Sequence, residues 1–210
     1  MNVLNFSSKG IDMFRLTLPL AAALLASTAP ATAQDIEPRN TPGLPDHLSA
    51  IDDVLTGGLL NDPTDLNWAH YGLGRELIVD ETYPGGGAAL RIAIGETANA
   101  YDGGVSIPLL GRIRARDTVT IGFFARTISS EASDGLGRVN VRFQIDRPPY
   151  GGFGDQVVEI GAGWDFYEVT TTADRAISRD GIVALQFGLE EQVVEIGQAF
   201  VVSGAPSILD

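Results

Sequence analysis

Arg138-Val139-Asn140-Val141-Arg142-Phe143-Gln144-Ile145 alternates without interruption, polar at every even position and apolar at every odd one. Successive side chains of a β-strand point to opposite faces, so this stretch predicts a strand with one face for a core and one for water or a ligand. The chain on either side repeats the pattern. Leu90, Ile92 and Ile94 alternate with Arg91, Ala93 and Gly95; Val105, Ile107 and Leu109 follow the turn Asp102-Gly103-Gly104; Val119, Ile121 and Phe123 follow Arg116-Asp117. Val158 and Ile160, then 166–171, then Val183, Leu185, Phe187 and Leu189, and finally 193–202 bring the total to roughly eight or nine strands divided by Gly, Pro and Asp turns. After residue 60 no helical stripe exceeds two turns; only His47 to Leu55, with Leu48, Ile51 and Leu55 at helical spacing, predicts helix. Strands of this kind bury their apolar faces most economically as an all-β antiparallel two-sheet sandwich, best a jelly roll. An immunoglobulin-like sandwich is the alternative, but such domains are usually shorter and carry a Cys pair.

The ends and the composition bound the rest. Lys9 and Arg15 precede an apolar run from Leu16 to Leu25, and Ala31-Thr32-Ala33 offers small residues for cleavage, so residues 1–33 read as a secretory signal. Met13 gives a shorter signal and a second candidate start. The run is far below the roughly 20 apolar residues of a membrane-spanning helix, so no membrane insertion is expected and the chain should be exported, to the periplasm or the medium. Residues 34–46 carry three prolines and no periodicity and predict a flexible leader; 47–210 should form one sandwich domain. Removing Lys9, Arg15 and Asp12 with the signal leaves 12 cations against 26 anions, a net charge of −14. That balance speaks against nucleic acid or an anionic membrane as partner. Cysteine is absent, which excludes disulfides, thiol chemistry and thiolate zinc sites.

Catalysis finds little to work with. The two histidines, His47 and His70, stand 23 residues apart, with no Gly-x-Ser-x-Gly elbow and no His-Glu-x-x-His pair. Glu159, Glu168, Glu190, Glu191 and Glu195 lie on or beside strands, where a glycosidase-like carboxylate pair is conceivable, but their ordinary neighbours favour solvated outer-face acids. No catalytic and no metal-ligating residue is therefore assigned. A binding surface is better supported. Sugars present apolar ring faces edged with hydroxyls, which call for flat aromatic side chains beside planar hydrogen-bonding groups. Arg138, Asn140, Arg142 and Gln144 supply such groups at two-residue spacing, about 7 Å apart along one strand face. Tyr150, in Pro148-Pro149-Tyr150-Gly151-Gly152, and Tyr101, before Asp102-Gly103-Gly104, stand in turns where stacking on a ligand competes with ordinary loop packing. Tyr83, before Pro84-Gly85-Gly86-Gly87, is a weaker stacking candidate, and Trp68 and Trp164 are expected in the core.

These motifs, in this order, resemble the CenC-like carbohydrate-binding modules, the group of families four, nine and twenty-two. The resemblance runs from Asn61 to Val202. Asn61-Asp62-Pro63 with Trp68 and Gly72 is similar to the family's opening, and Gly86-Gly87-Ala88-Ala89-Leu90-Arg91-Ile92 to its Gly-Gly-x-Ala-Leu-Arg-Val strand. Tyr101-Asp102-Gly103-Gly104-Val105-Ser106 follows at the expected interval, and 117–126 (DTVTIGFFAR) is similar to the strand ending Phe-Trp-Ala-Arg. Val141-Arg142-Phe143-Gln144 with Pro149-Tyr150, then Gly163-Trp164 with Tyr167, then Val193-Val194-Glu195-Ile196-Gly197 complete it. The resemblance implies a galactose-binding-like jelly roll whose concave sheet holds a polysaccharide or oligosaccharide, without chemistry of its own. It also implies contact residues: Tyr101, Arg142, Gln144 and Tyr150, with Arg126, Asn140 and Gln186 on neighbouring strands of the same face. Many relatives end with an Ile-Asp-Asp style strand that helps hold a structural calcium. Here Ile196-Gly197-Gln198 stands instead, so no cofactor is expected, although Asn61, Asp62 and Asp65 would offer oxygens to a hard cation. Two rival readings stay open: an adhesion or assembly sandwich binding a protein partner, and a glycan hydrolase or lyase using Glu159 or Glu190.

Overall fold

Residues 41–208 are described by the structure, a computed structural model; the expected signal at 1–33 and residues 34–40 of the leader lie outside the described residues. Eleven strands form two antiparallel sheets. Sheet I runs β3 (Gly74–Val79), β4 (Ala88–Ile94), β11 (Gln192–Ser203), β6 (Thr118–Ser130), β9 (Asp165–Thr172), with β1 (Gly58–Leu59) also paired to β11. Sheet II runs β2 (Ala69–Tyr71), β5 (Gly104–Pro108), β10 (Gly181–Gln186), β7 (Gly137–Ile145), β8 (Gly152–Ile160). From β4 onward the chain crosses between sheets at nearly every connection, staying within one only in the β7–β8 hairpin, and this is the jelly-roll path the alternation predicted. The strands that the pattern did not announce are β1 and β3, which their pairing to β11 and β4 defines.

Between the sheets lies the main core. Leu90, Ile92, Ile121, Phe123, Val139, Val141, Phe143, Val183, Leu185, Val194 and Ile196 are all at most 1% exposed and come from alternate positions of five strands. Fully burying each such side chain stabilises the fold by about 2 kcal/mol before entropy is counted. Trp68 joins this core, as expected, and Phe143 stacks on Phe153 at 5.6 Å.

A second, smaller core covers the outer face of sheet I at one end. Leu48, Leu55, Leu59, Val202 and Ile208 bury one another there, with Phe166 and Phe200 at their margin. The helix α1 (Ser49–Val54) lies where the sequence predicted it and is fixed by Asp52, which is fully buried. One Asp52 oxygen accepts from the Leu59 N–H at 2.7 Å and the Thr41 hydroxyl at 2.9 Å, and the other from the Thr41 N–H at 3.2 Å. Thr41 and Leu44, placed in the expected flexible leader, are thus tied to the domain.

The rest of that outer face carries a row of alternating charge across the strands. Glu76 pairs in register with Arg91, Arg91 with Glu195, and Glu195 with Arg126. Glu195 is fully buried, and its two oxygens are held by Arg91 at 2.6 Å and by Arg126 at 2.6 Å. Arg126 also reaches Asp80 at 2.5 Å and lies over the Trp164 ring at 4.9 Å. Trp164 is therefore not an inter-sheet core residue, contrary to expectation: it is half-buried on the outside of sheet I, packed at 4.8 Å against Tyr83. Tyr83 is 4% exposed, which leaves no face for a ligand. Its hydroxyl oxygen accepts from the Gln198 N–H at 2.6 Å, inside an irregularity of the β6–β11 ladder, and only glycine fits at Gly197 because the Tyr83 ring occupies the space of a Cβ.

That contact bears on the structural calcium of similar modules. The position of their carboxylate is held here by Gly197 and Gln198 beneath a tyrosine ring. The Asn61 amide is committed to β11 at both ends, donating to the Ala199 carbonyl at 2.9 Å and accepting from the Val201 N–H at 2.7 Å. Asp62 and Asp65 accept from the backbone two residues on.

Candidate glycan cleft

On the outer face of sheet II, cross-strand register sets out three parallel rungs. Ala69, Ser106, Ala184 and Arg142 form the middle one. Tyr71, Gly104, Gln186 and Asn140 form the second, and Pro108, Ile182, Gln144 and Gly152 the third. Ala69, Ser106 and Ala184 are small, so the middle rung is the floor of a trough and the bulkier rungs are its sides. The trough is a cavity of about 720 Å³ that crosses the strands from β2 to β8. Five strands spaced about 4.8 Å apart make it about 19 Å long. The sequence suggested a row along one strand; the cleft instead takes one to three residues from each of five.

Three tyrosines line it. Tyr71 is 42% exposed, Tyr150 50% and Tyr101 60%, fractions that leave ring faces open to a ligand. Each is held by local chemistry. Tyr101 lies in a single 3₁₀ turn, Ala100–Asp102, closed by reciprocal capping between Asn99 and Asp102, and pinned to the end of β10 by the Phe187 and Gly188 N–H groups. Tyr150 has φ of +55°, a left-handed conformation that costs a non-glycine residue about 1 kcal/mol, and its N–H donates to the Arg147 carbonyl at 2.7 Å. Tyr71 reaches across β5 to hydrogen-bond with the Gln186 side chain, which requires Gly104 beneath it: a Cβ there would stand 2.8 Å from the tyrosine hydroxyl. Burial pushes the Tyr71 hydroxyl above its ordinary pKa, with the nearby Tyr150 and Asp102 adding to the effect against the Gln186 hydrogen bond.

The polar groups divide into committed and uncommitted. Gln186, 6% exposed, accepts from the Asn140 amide at 2.9 Å as well as meeting Tyr71. Arg142 is paired with Asp155. Asp155 is brought to it by a β-bulge at which Gly154, with φ of +78°, supplies the extra residue. Gln144 differs: only 7% exposed, it lines the cleft with no side-chain hydrogen bond to any described residue, and the Ser106 hydroxyl, at 9%, is in the same state. Buried amides are nearly always satisfied, so one left free in the wall of an open trough is available to a ligand or to water.

Of the residues expected to touch sugar, the cleft gathers Tyr101, Arg142, Gln144, Tyr150 and Gln186. Asn140 stands one rung aside, where its amide serves Gln186 at 2.9 Å and Asp155 at 3.4 Å, so it positions the lining without forming part of it. Arg126 was expected on the same face and is not. It belongs to β6 in the opposite sheet, because the chain changes sheets between β6 and β7, and it is bound to Glu195 and Asp80. Arg138, at the far end of β7 and about 13 Å from Arg142 along the strand, is engaged by Asp134 at 2.5 Å, Glu159 at 3.3 Å and Glu190 at 3.4 Å. Glu159 and Glu190, the carboxylates of the hydrolase reading, are thereby ion-pair partners away from the cleft. Tyr71, Ser106, Asp146 and Asp155 line the cleft without having been singled out. The signal for Tyr71 lay in Gly103-Gly104, small residues that make room for a ring.

No protein-family model and no curated protein matches the sequence. Solved structures do. A CBM4 structure is 20% identical over 65% of this chain and 94% of that one, with a TM-score of 0.50. The arabinose-bound α-L-arabinofuranosidase MgGH51 is 12% identical over 72% of this chain, with a TM-score of 0.54, but the match covers 28% of the enzyme. The CBM22-1 xylan-binding domain of Paenibacillus barcinonensis Xyn10C is 10% identical, covering 69% of this chain and 90% of that one at a TM-score of 0.48. At such identities the likeness is one of fold, and the fold is the β-sandwich expected from the motifs.

Proposed function

We propose that this chain is an exported, non-catalytic carbohydrate-binding protein that holds a poly- or oligosaccharide in the trough across sheet II. One observation carries the reading: three half-exposed tyrosine rings and a recessed, unpartnered Gln144 amide converge on a single groove. Rings and amides are what a sugar asks of a protein surface, since stacking takes the C–H face and planar hydrogen-bonding groups take the hydroxyls. Tyr101 and Tyr150 stack from loops at opposite ends of the strands, Tyr71 from β2, and Arg142, Gln144 and Gln186 read the hydroxyls between them. The fold shared with the CBM4 structure supports the reading. Export is supported by the pattern of Lys9, Arg15 and the run Leu16 to Leu25. Among the described residues no helix is long and apolar enough to cross a membrane.

Electrophoresis through gels containing soluble polysaccharides tests the proposal. The chain should be retarded by at least one, with Tyr150→Ala and Arg142→Ala migrating as in a plain gel. Failure of every polysaccharide and of a glycan array, together with a stable complex with another protein, would favour the assembly reading.

A further inference from the structure

We infer that the cleft ranks glycans by charge, taking amine-bearing sugars ahead of neutral ones and turning away those that carry carboxylates. The inference rests on the carbohydrate reading above and specifies its ligand. Its ground is an imbalance among the charged groups of the trough. Arg142 is the only arginine lining it among the described residues, and Asp155 already neutralises that guanidinium. Asp146, on the Pro149–Tyr150 side, lines the same trough, is exposed, and has no ion-pair partner among the described residues. Arginines flanking this side bring no surplus, since Arg147 is bound to Asp180 and Arg175 to Asp174 at 2.7 Å. At the other end Asp102, half-buried under Tyr101, accepts from the Asn99 N–H and amide and contributes negative potential at Tyr71. His70 lines the β2 end.

A ligand entering this trough therefore meets one free carboxylate, Asp146, lies within the negative potential that Asp102 sets up at Tyr71, and finds no unpaired arginine. A uronate would be placed beside Asp146 with nothing to accept its charge; a protonated amine would find Asp146 directly and three tyrosine faces that attract cations. The general negative field of the molecule acts in the same direction on approach.

The test uses a matched set of oligosaccharides on one backbone that retards the chain in the gels above: the neutral form, the amino form under conditions that protonate it, and the uronate. Titration calorimetry at low ionic strength should find the amino form about fivefold tighter than the neutral one and the uronate about fivefold weaker, both gaps closing at 0.5 M salt to about twofold or less. Asp146→Asn should remove most of the amine advantage. Asp155→Asn, which frees Arg142, should raise uronate binding toward the neutral level, with circular dichroism confirming that both variants fold. Equal affinities for the three forms at low salt, or a uronate preference in the unaltered chain, overturns the charge ranking while leaving the carbohydrate reading intact. If glycans of every charge fail to bind, it is the carbohydrate reading that falls.

Discussion

On the outside of sheet I, Arg91, Glu195, Arg126 and Asp80 satisfy one another, and Trp164 and Tyr83 close over them. On the outside of sheet II, residues of the same types, arginine, aspartate, tyrosine and amide, leave Gln144, Ser106 and Asp146 without a protein partner and three rings half-open. Both faces are polar and both contain aromatics, so composition does not separate them; saturation does. A face whose hydrogen-bonding capacity is consumed internally serves the fold, and one that keeps capacity in reserve is ready for something else.

The sharpest way to break this contrast is at its most buried charge. Glu195→Ala leaves Arg91 and Arg126 facing each other across a void and should cost about 3 kcal/mol in denaturant unfolding, with glycan retardation unchanged in the folded fraction. The reverse pattern is expected opposite. Tyr101→Ala, at a 60% exposed ring, should weaken glycan binding about tenfold by calorimetry while shifting stability by less than about 0.5 kcal/mol. Gln144→Ala is a finer probe. Because its amide has no partner to orphan, the substitution should leave folding close to neutral yet weaken binding about fivefold. The smallest effect is one of pH. Thr82 hydrogen bonds, aided by Trp164 and Arg126, hold the Asp80 carboxyl below its ordinary 3.8, and the Arg138 hydrogen bond, with the Leu136 N–H, does the same for Asp134. A lowered folded-state pKa means these groups favour the folded state above 3.8, and that support is lost as pH falls through the lowered values. Thermal midpoints should fall off below about pH 4, and less steeply in Asp80→Asn.

Much of the fold was legible because a two-residue period is a local property. Val139, Val141 and Phe143 face the core for the reason visible in the sequence itself: the residues between them are polar. What the period does not contain is sheet membership. Arg126 and Arg142 have the same parity on their own strands, yet β6 and β7 lie in different sheets, and only the crossover between them decides that Arg126 meets Glu195 while Arg142 faces the trough. The direction of the cleft was hidden likewise. Reading along 138–144 placed Arg138 and Gln144 in one row, whereas the trough is assembled across strands from residues as distant in sequence as Ala69 and Gln186. Alternation had put Arg142 and Gln144 on one face and turn chemistry had singled out Tyr101 and Tyr150, all of which line the trough; Gln186 came with the resemblance to carbohydrate-binding modules alone, which also placed Arg126 there although it lies on the other sheet. The resemblance missed Asp155, whose approach to Arg142 depends on a bulge at Gly154 that no alternation announces.

The separation of aromatic types between the two sides has an optical consequence. Neither indole lines the trough, Trp68 being sealed in the interior at 1% exposure and Trp164 clasped to Arg126 on the opposite sheet, while three of the five phenols border it. Tyrosine absorbance therefore reports occupancy and tryptophan emission reports the integrity of the scaffold, so one cuvette distinguishes a chain that has released its ligand from one that has begun to unfold.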